Sequence, residues 1–373
     1  MRVAVVGAGI NGVMTAWALA RRGHAVELFE RSDPIAATSS ASTKLLHGGL
    51  RYLETGRLAF VREGLAERAW WIAQAPHLAH PIELLLPVVR ARGRPAWMVK
   101  AGLVTYDMLA GKRALHRHRW VERGEVLARI PGLRAEGLRG AYSFWDGQMD
   151  DAALGRWALE RAREAGVALH AHCEVERIGE DGTLVLARGA QADAQAEAAG
   201  RAAEPAQRFD AICNVAGPWA QRLLEASGLR SGHALRLVRG SHLLVDGELP
   251  CGLLVQAPSD DRVVFILPYL GRILIGTTEV EQAPGAPTVC SDAERDYLLE
   301  AWNATFERRL EPADVRETFA GARPLIAEKS DPSANTREHA IERHGRVVSV
   351  FGGKWTTSRV LGEQMADEVE RLR

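Results

Sequence analysis

Gly7-Ala8-Gly9-Ile10-Asn11-Gly12 stands directly behind the apolar run Val3-Ala4-Val5-Val6. Glycines at this spacing do one kind of chemistry: they bring a backbone up to a phosphate. Gly7 permits a tight turn out of a strand, Gly9 lets the main chain approach a pyrophosphate, and Gly12 lets a helix pack closely on the sheet. The N–H groups and positive dipole end of that helix favour phosphate oxygens. Glu30 follows Gly12 by 18 residues. A carboxylate there accepts ribose hydroxyls and repels a 2′-phosphate, which disfavours NADP.

The surrounding elements fit that chemistry. A helical pattern runs from about Ile10 to Arg22 and stops at Gly23; a second strand, Ala25–Phe29, ends on Glu30. Strand, helix, strand and acid together make a full dinucleotide-binding unit rather than an isolated glycine motif. FAD and NAD both remain open at this point.

A second cluster follows. Thr38-Ser39-Ser40-Ala41-Ser42-Thr43-Lys44 leads into Leu45-Leu46-His47-Gly48-Gly49-Leu50-Arg51-Tyr52. Small hydroxyl residues and glycines let a chain crowd around a phosphate or a ring system. A surface loop is the plainer reading. Against it, a lysine, a histidine, an arginine and a tyrosine gather beside paired glycines.

The far end of the chain narrows the cofactor. Val347–Phe351 reads as a strand broken by Gly352-Gly353, and Lys354-Trp355-Thr356-Thr357 is expected to open the last helix. A strand, two glycines and a helix at the opposite end from the first motif suggest a cofactor that touches both ends of a discontinuous domain, and FAD is long enough. A helix N-terminus at Thr356-Thr357 would stabilise negative charge at the flavin N1–O2 edge. Asp210–Trp219 gives another strand-to-helix turn with small residues. The candidate FAD positions are therefore Gly7, Gly9, Asn11, Gly12, Glu30, Thr38, Ser39, Ser42, Lys44, His47, Gly48, Gly49, Val175, Ala216, Gly217, Trp219, Gly353, Lys354, Thr356 and Thr357.

Composition bounds the rest. Forty-seven basic residues balance 47 acidic ones, so the whole chain is no polyanion binder and no nucleic-acid partner is expected. Cys173, Cys213, Cys251 and Cys290 share no CxxC or metal-ligand spacing; no disulfide framework and no metal are expected, and a reducing compartment follows. Met1-Arg2 runs straight into the first strand, so no leader is expected, and no apolar run reaches the ~18 residues of a membrane span. A cytoplasmic protein is expected, with any membrane contact peripheral. Residues 90–120 carry Arg90, Arg92, Arg94, Lys100, Lys112, Arg113, Arg117 and Arg119 against Asp107 alone, interleaved with Trp97, Met98, Leu103, Val104, Met108 and Trp120. Such a stretch either lies on an anionic membrane surface or is a solvated basic face. Helices are expected near 58–75, 151–165 and 292–309, strands at 167–174, 241–245, 263–267 and 273–276, and an Ala/Gln/Glu-rich insertion at 187–208.

The chain resembles the FAD-dependent glycerol-3-phosphate dehydrogenases. The likeness is carried by Ser39–Glu54, Arg94-Pro95-Ala96-Trp97-Met98, Arg239-Gly240-Ser241-His242, Gly276-Thr277-Thr278-Glu279-Val280, Gly321-Ala322-Arg323-Pro324-Leu325 and Phe351–Thr357. The matches run in order from Val3 to about Leu361. The resemblance implies an α/β fold, a glutathione-reductase-like FAD-binding Rossmann domain with an interleaved β-rich (α+β) substrate domain. We expect FAD-domain parts at 1–80, 151–225 and 326–373, and substrate-domain parts at 81–150 and 226–325. It also implies oxidation of sn-glycerol 3-phosphate to dihydroxyacetone phosphate, with electrons passed to quinone or, in some members, oxygen. Arg51, Tyr52, Arg323, Lys354 and Arg337 would line the substrate pocket. Three departures stand out: the chain ends at Arg373 where members of this type usually carry a C-terminal helical domain, Glu279 stands where the family often has Asp, and the resemblance assigns no role to the insertion.

Oxidising a secondary alcohol at a flavin needs a hydride acceptor and a base for the hydroxyl proton. A phosphate dianion wants arginine forks and a nearby lysine, which Arg323, Arg51, Arg337 and Lys354 supply. A base titrating near neutrality points to histidine: His47 first, His242 second, either of which can instead be structural. Two other readings stay open. A flavin oxidase of an amino acid or 2-hydroxy acid would need one arginine for a carboxylate, and a non-catalytic FAD-binding paralogue would need no base at all.

Overall fold

The computed structural model describes residues 1–90, 94–187, 206–327 and 339–372. The chain opens with β1 (Arg2–Val6), α1 (Ile10–Arg21), β2 (Ala25–Glu30), β3 (Leu45–Leu46), α2 (Leu58–Gln74), β4 (Ala79–Val89) and α3 (Ala96–Ala110). β5 (Arg119–Glu122), α4 (Arg123–Arg129), β6 (Leu138–Met149), α5 (Asp151–Glu164), β7 (Ala168–Ala171), β8 (Val175–Ile178), β9 (Thr183–Leu186), β10 (Gln207–Arg208) and β11 (Ala211–Asn214) follow. After the helix Ala220–Ala226 come β12 (Leu235–Asp246), β13 (Gly252–Gln256), β14 (Val263–Tyr269), β15 (Arg272–Gly276) and β16 (Val280–Gln282). The helix Asp292–Thr305, β17 (Val315–Ile326), β18 (His339–His344), β19 (Val347–Gly352) and the helix Ser358–Glu370 complete the described chain.

The first sheet has six strands in the order β18-β19-β11-β1-β2-β7. All its pairings are parallel except β18 on β19. β1 is apolar and buried because both faces of the sheet are covered, one by α1 and its neighbours and the other by the helix Ala220–Ala226 with β8 and β9. α1 sits close on it because residue 12 is glycine: a Cβ there would lie 1.8 Å from the Gly7 carbonyl oxygen. The helix Ser358–Glu370 packs on α1, so the two ends of the chain share one core around Val13, Met14, Leu361 and Met365. That is the both-ends arrangement expected from the two glycine motifs.

The second sheet is mixed and has ten strands. β17 pairs with β12 over nearly its whole length, setting Arg323 opposite Val238 and Gly321 opposite Gly240. β15 pairs with β12 on the other side and sets Gly276 opposite His242. The helix Asp292–Thr305 covers this sheet through Leu298, Leu299 and Trp302. Its start is fixed by a capping box between Ser291 and Glu294.

Four local expectations change. The last helix begins at Ser358, with Thr357 as its N-cap; Lys354–Thr357 form the turn that leads into it. The helix from Asp292 ends at Thr305, where Trp302 Nε1 donates to the Arg308 carbonyl and Asn303 bonds Leu310. The strand expected at 167–174 is shorter: β7 stops at Ala171, before His172 with its φ of +57°, and β8 starts only at Val175. Most of the expected insertion lies outside the described residues, as do Arg92 and Arg337, and Gln207–Arg208 forms a short strand on β9.

Candidate active site

A cleft of about 1710 Å³ opens beside the ends of β1, β11 and β19, walled on its far side by the ten-stranded sheet. It exceeds the roughly 300–1,000 Å³ that houses a drug-sized ligand. Gly7, Gly9, Asn11, Glu30, Thr38, Ser39, Ser42, Val175, Ala216, Gly217, Trp219, Gly353 and Thr356 line it.

One end of the cleft is built by the β1–α1 turn. Gly7 has a φ of +100°, a conformation glycine adopts without penalty. Gly9 caps α1 without a side chain, so main chain faces the cleft there. The Ile10 amide donates to Ser39 Oγ at 2.9 Å. Glu30 is oriented by the Ala8 amide on one oxygen and by Ser32 on the other. Trp219 carries the Arg31 guanidinium 3.9 Å from its ring centroid. Asn11 Oδ1 is buried without a hydrogen-bond partner, an acceptor left for a ligand group. The Gly353 backbone sits so close to Asn11 that a Cβ would come within 2.7 Å of its amide nitrogen. These residues fit FAD: the α1 N-terminus and Ser39 for the pyrophosphate, Glu30 for the ribose, and the Gly353–Thr356 turn at the other end.

Five candidate cofactor positions do not line the cleft. Gly12 acts through packing, as above. Lys44 is buried and ion-paired to Asp151 at 2.6 Å, with a further bond to the Ser40 carbonyl; it holds the 38–44 loop on α5 rather than reaching a ligand. Gly48 is covered by Tyr106 and Leu65, and Gly49 by the Tyr52 ring. Thr357 is buried at the helix start.

The other end of the cleft is cationic. His47, Arg51, Tyr52, His242, Arg323 and Lys354 all line it. Lys354 Nζ lies 3.9 Å from the Tyr52 ring centroid. Burial, then the neighbouring Arg51, pull the Lys354 ammonium down to about 7. Arg323 donates to the Thr278 carbonyl at 3.0 Å and pairs with Glu279 at 3.5 Å. Glu279 also faces Arg262 at 3.6 Å and Arg51 at 4.0 Å, so one carboxylate stands among three guanidiniums.

The two histidines differ. His47 is exposed to the cleft; desolvation by the protein around it, then the charges of Lys354 and Arg51, hold it down to about 4. His242 is 2% exposed and stacks on Phe319 at 4.8 Å. Its Nε2 bonds Thr43 Oγ1 at 3.0 Å, and its Nδ1 has no partner. Burial, then Lys44 and Arg323, hold it down to about 3. Both rings are therefore neutral at pH 7.

Residues 2–368 match the family described as FAD dependent oxidoreductase. A glycerol-3-phosphate dehydrogenase of Pseudomonas aeruginosa is 38% identical over 99% of this chain and 71% of its own length. The chain belongs to the FAD-dependent glycerol-3-phosphate dehydrogenase family. A D-erythritol 1-phosphate dehydrogenase of Brucella abortus is 36% identical over 96% of this chain and 72% of its own. The solved glycerol-3-phosphate dehydrogenase of Bacillus halodurans, complexed with FAD, superposes with a TM-score of 0.77 at 27% identity, covering all of this chain and 64% of its own. This flavoprotein thus spans about two thirds of such relatives' length.

Several residues of this FAD-dependent oxidoreductase had no sequence signal strong enough to name them. Arg31 follows Glu30 directly and its proximity to Trp219 needs the fold. Asp151 was legible only as a helix start. Arg262 meets Glu279, the carboxylate that Arg323 also pairs with, only where the fold brings the start of β14 beside the turn between β15 and β16.

Proposed function

We propose that this enzyme oxidises sn-glycerol 3-phosphate to dihydroxyacetone phosphate and passes the electrons to quinone or another acceptor. The observation that carries this is the convergence of Arg51, Arg323 and Lys354 beside a neutral His47 in the cleft that fits FAD. Bound FAD supplies the hydride acceptor. Arg51 and Arg323 offer forked donors to the phosphate, and Lys354 adds a compact charge. Tyr52, under the Lys354 ammonium, orients it.

His47 accepts the hydroxyl proton in this reading. A ring held down to about 4 is unprotonated at neutral pH and ready to take a proton. An arriving dianion offsets the charges of Lys354 and Arg51, which raises the basicity of His47 when substrate is present. His242 is the weaker candidate, because its ring is enclosed between Thr43 and Phe319. Several cations exceed what a lone carboxylate needs, which weighs against an amino acid or 2-hydroxy acid as substrate. We assign the six-stranded sheet to FAD binding and the ten-stranded sheet to the substrate. We also propose a peripheral contact of α3 with the cytoplasmic membrane surface.

The test is anaerobic addition of sn-glycerol 3-phosphate to the oxidised holoenzyme while flavin absorbance is followed. Rapid bleaching is expected, faster than with D-erythritol 1-phosphate at equal concentration. An oxidised spectrum that persists with sn-glycerol 3-phosphate overturns the substrate; bleaching with the four-carbon phosphate alone replaces it.

A further inference from the structure

Outside the cleft, and unused by the reading above, lies a buried polar cluster drawn from three elements. Arg68 comes from α2, Tyr106 from α3 and Asp146 from β6, with 1%, 3% and 2% exposure. Arg68 Nη1 donates to Asp146 Oδ1 at 2.9 Å. Its remaining bonds go to the carbonyls of Trp145 and Arg113. The Tyr106 hydroxyl donates to the Asp146 carboxylate, 3.0 and 2.9 Å from its two oxygens.

The cluster also reaches the loop that carries His47. The Gly48 amide donates to the Tyr106 oxygen at 2.8 Å, with Asp146 Oδ1 3.3 Å away. Gly48 follows His47. No side chain fits at position 48, since a Cβ would lie 2.4 Å from the Tyr106 hydroxyl and 2.6 Å from Leu65. On the other side β3 pairs Leu45 with Gln148 and Leu46 with Gly147. The chain is thus held immediately before and immediately after His47. A buried ion pair and phenol are costly to desolvate and rarely the most stable filling for a core. Their retention beside a catalytic loop asks for a role other than stability.

We propose that Tyr106, oriented by Asp146 and Arg68, is a positioning residue that fixes the main chain at Gly48 and thereby aims the His47 ring at the substrate hydroxyl. The inference rests on the reading of His47 as proton acceptor. It adds that the aim of this base is set from behind by a network reaching α2 and α3, and not by the cleft residues alone.

The test is a double-mutant cycle on the holoenzyme with Tyr106→Phe and His47→Asn, both checked for retained flavin and far-ultraviolet circular dichroism. Tyr106→Phe is expected to lower kcat on the order of tenfold to a hundredfold, as a small misplacement of a catalytic group does. KM should change less than about twofold, because the phosphate site is untouched. In the His47→Asn background the same change should cost nothing further. The His47 ring resonance, assigned by its loss in His47→Asn, should move in Tyr106→Phe independently of any turnover. Asp146→Asn should give the same pattern if Tyr106→Phe folds poorly. An unchanged kcat and ring resonance in Tyr106→Phe overturns the proposal. So does a full multiplicative loss on top of His47→Asn. A His47→Asn enzyme with normal kcat overturns the reading of His47 itself and is recognised separately, from the single variant.

Discussion

At the scale of single residues, the site is a set of charges tuned by enclosure. Lys354 is the most informative of them, because its ammonium titrates near 7 where most lysines stay charged to about 10. A bound dianion favours the protonated form. Ligand binding above pH 7 therefore takes up a proton and weakens as pH rises through the pKa of the free enzyme. Dihydroxyacetone phosphate, which cannot reduce the oxidised flavin, suits the measurement. Its affinity should fall by up to about tenfold per pH unit between about pH 7.5 and pH 9, where its own phosphate is already a dianion. Lys354→Met should bind more weakly at pH 7 and show no such slope. A flat wild-type profile would remove Lys354 from the anion site.

Elements rather than residues decided what the sequence could show. The β1–α1–β2 unit was legible because every residue in it obeys one local rule set: apolar strand, glycine turn, amphipathic helix, acid. The Lys354–Thr357 segment reads in the sequence as a helix start and not as a turn, since Thr356 and Thr357 suit a helix start as well as a cap. β4 and β6 carried no clear alternation, because β4 includes Pro81 and Pro87 and β6 is buried on both faces. Their pairing, and with it the Arg68–Tyr106–Asp146 cluster, depends on contacts 40 to 78 residues apart. Lys44 misled for a related reason. Beside a glycine-rich loop it suits a phosphate, while its partner Asp151 lies 107 residues away. That pair is testable as a device of the 38–44 loop. Asp151 accepts from Lys44 Nζ, the Ser42 amide and Ser42 Oγ, and is fully buried. Asp151→Ala strands a buried ammonium, and equilibrium urea unfolding of the apoprotein should show a loss of about 3–5 kcal/mol, with weaker FAD retention in the holoprotein. The apolar pair Lys44→Met with Asp151→Leu should recover most of it. A loss below about 1 kcal/mol for Asp151→Ala would mean the ammonium finds other partners.

For the whole molecule, the question is which surface meets the electron acceptor. Among the described residues no helix is long and apolar enough to cross a membrane, and the peripheral contact proposed above needs a surface suited to lipid. α3 offers one. Its inner face buries Val99, Leu103, Tyr106 and Ala110, while Trp97, Met98, Val104 and Met108 project outward; Trp97 is 69% and Met108 76% exposed. Lys100, Lys112, Arg113 and Arg117 are exposed beside that stripe, whereas Arg94 and Arg119 are engaged by Glu54 and Glu125. On a molecule with zero formal net charge, this local concentration is what an anionic lipid surface selects. Basic residues near such a surface contribute about 1 kcal/mol each, and burying a side chain such as methionine adds roughly 1.5–3 kcal/mol. The holoenzyme should therefore co-sediment with vesicles of phosphatidylglycerol in phosphatidylcholine, more weakly with phosphatidylcholine alone, and progressively less as salt screens the charges. Trp97→Asp with Met108→Asp should reduce the bound fraction at least about tenfold, given the apolar area lost, while leaving the anaerobic reduction by substrate unchanged. Binding that survives both substitutions would move the membrane contact to another face. Absence of binding to anionic vesicles would leave α3 as a solvated basic helix and shift the search for the acceptor to the open end of the cleft.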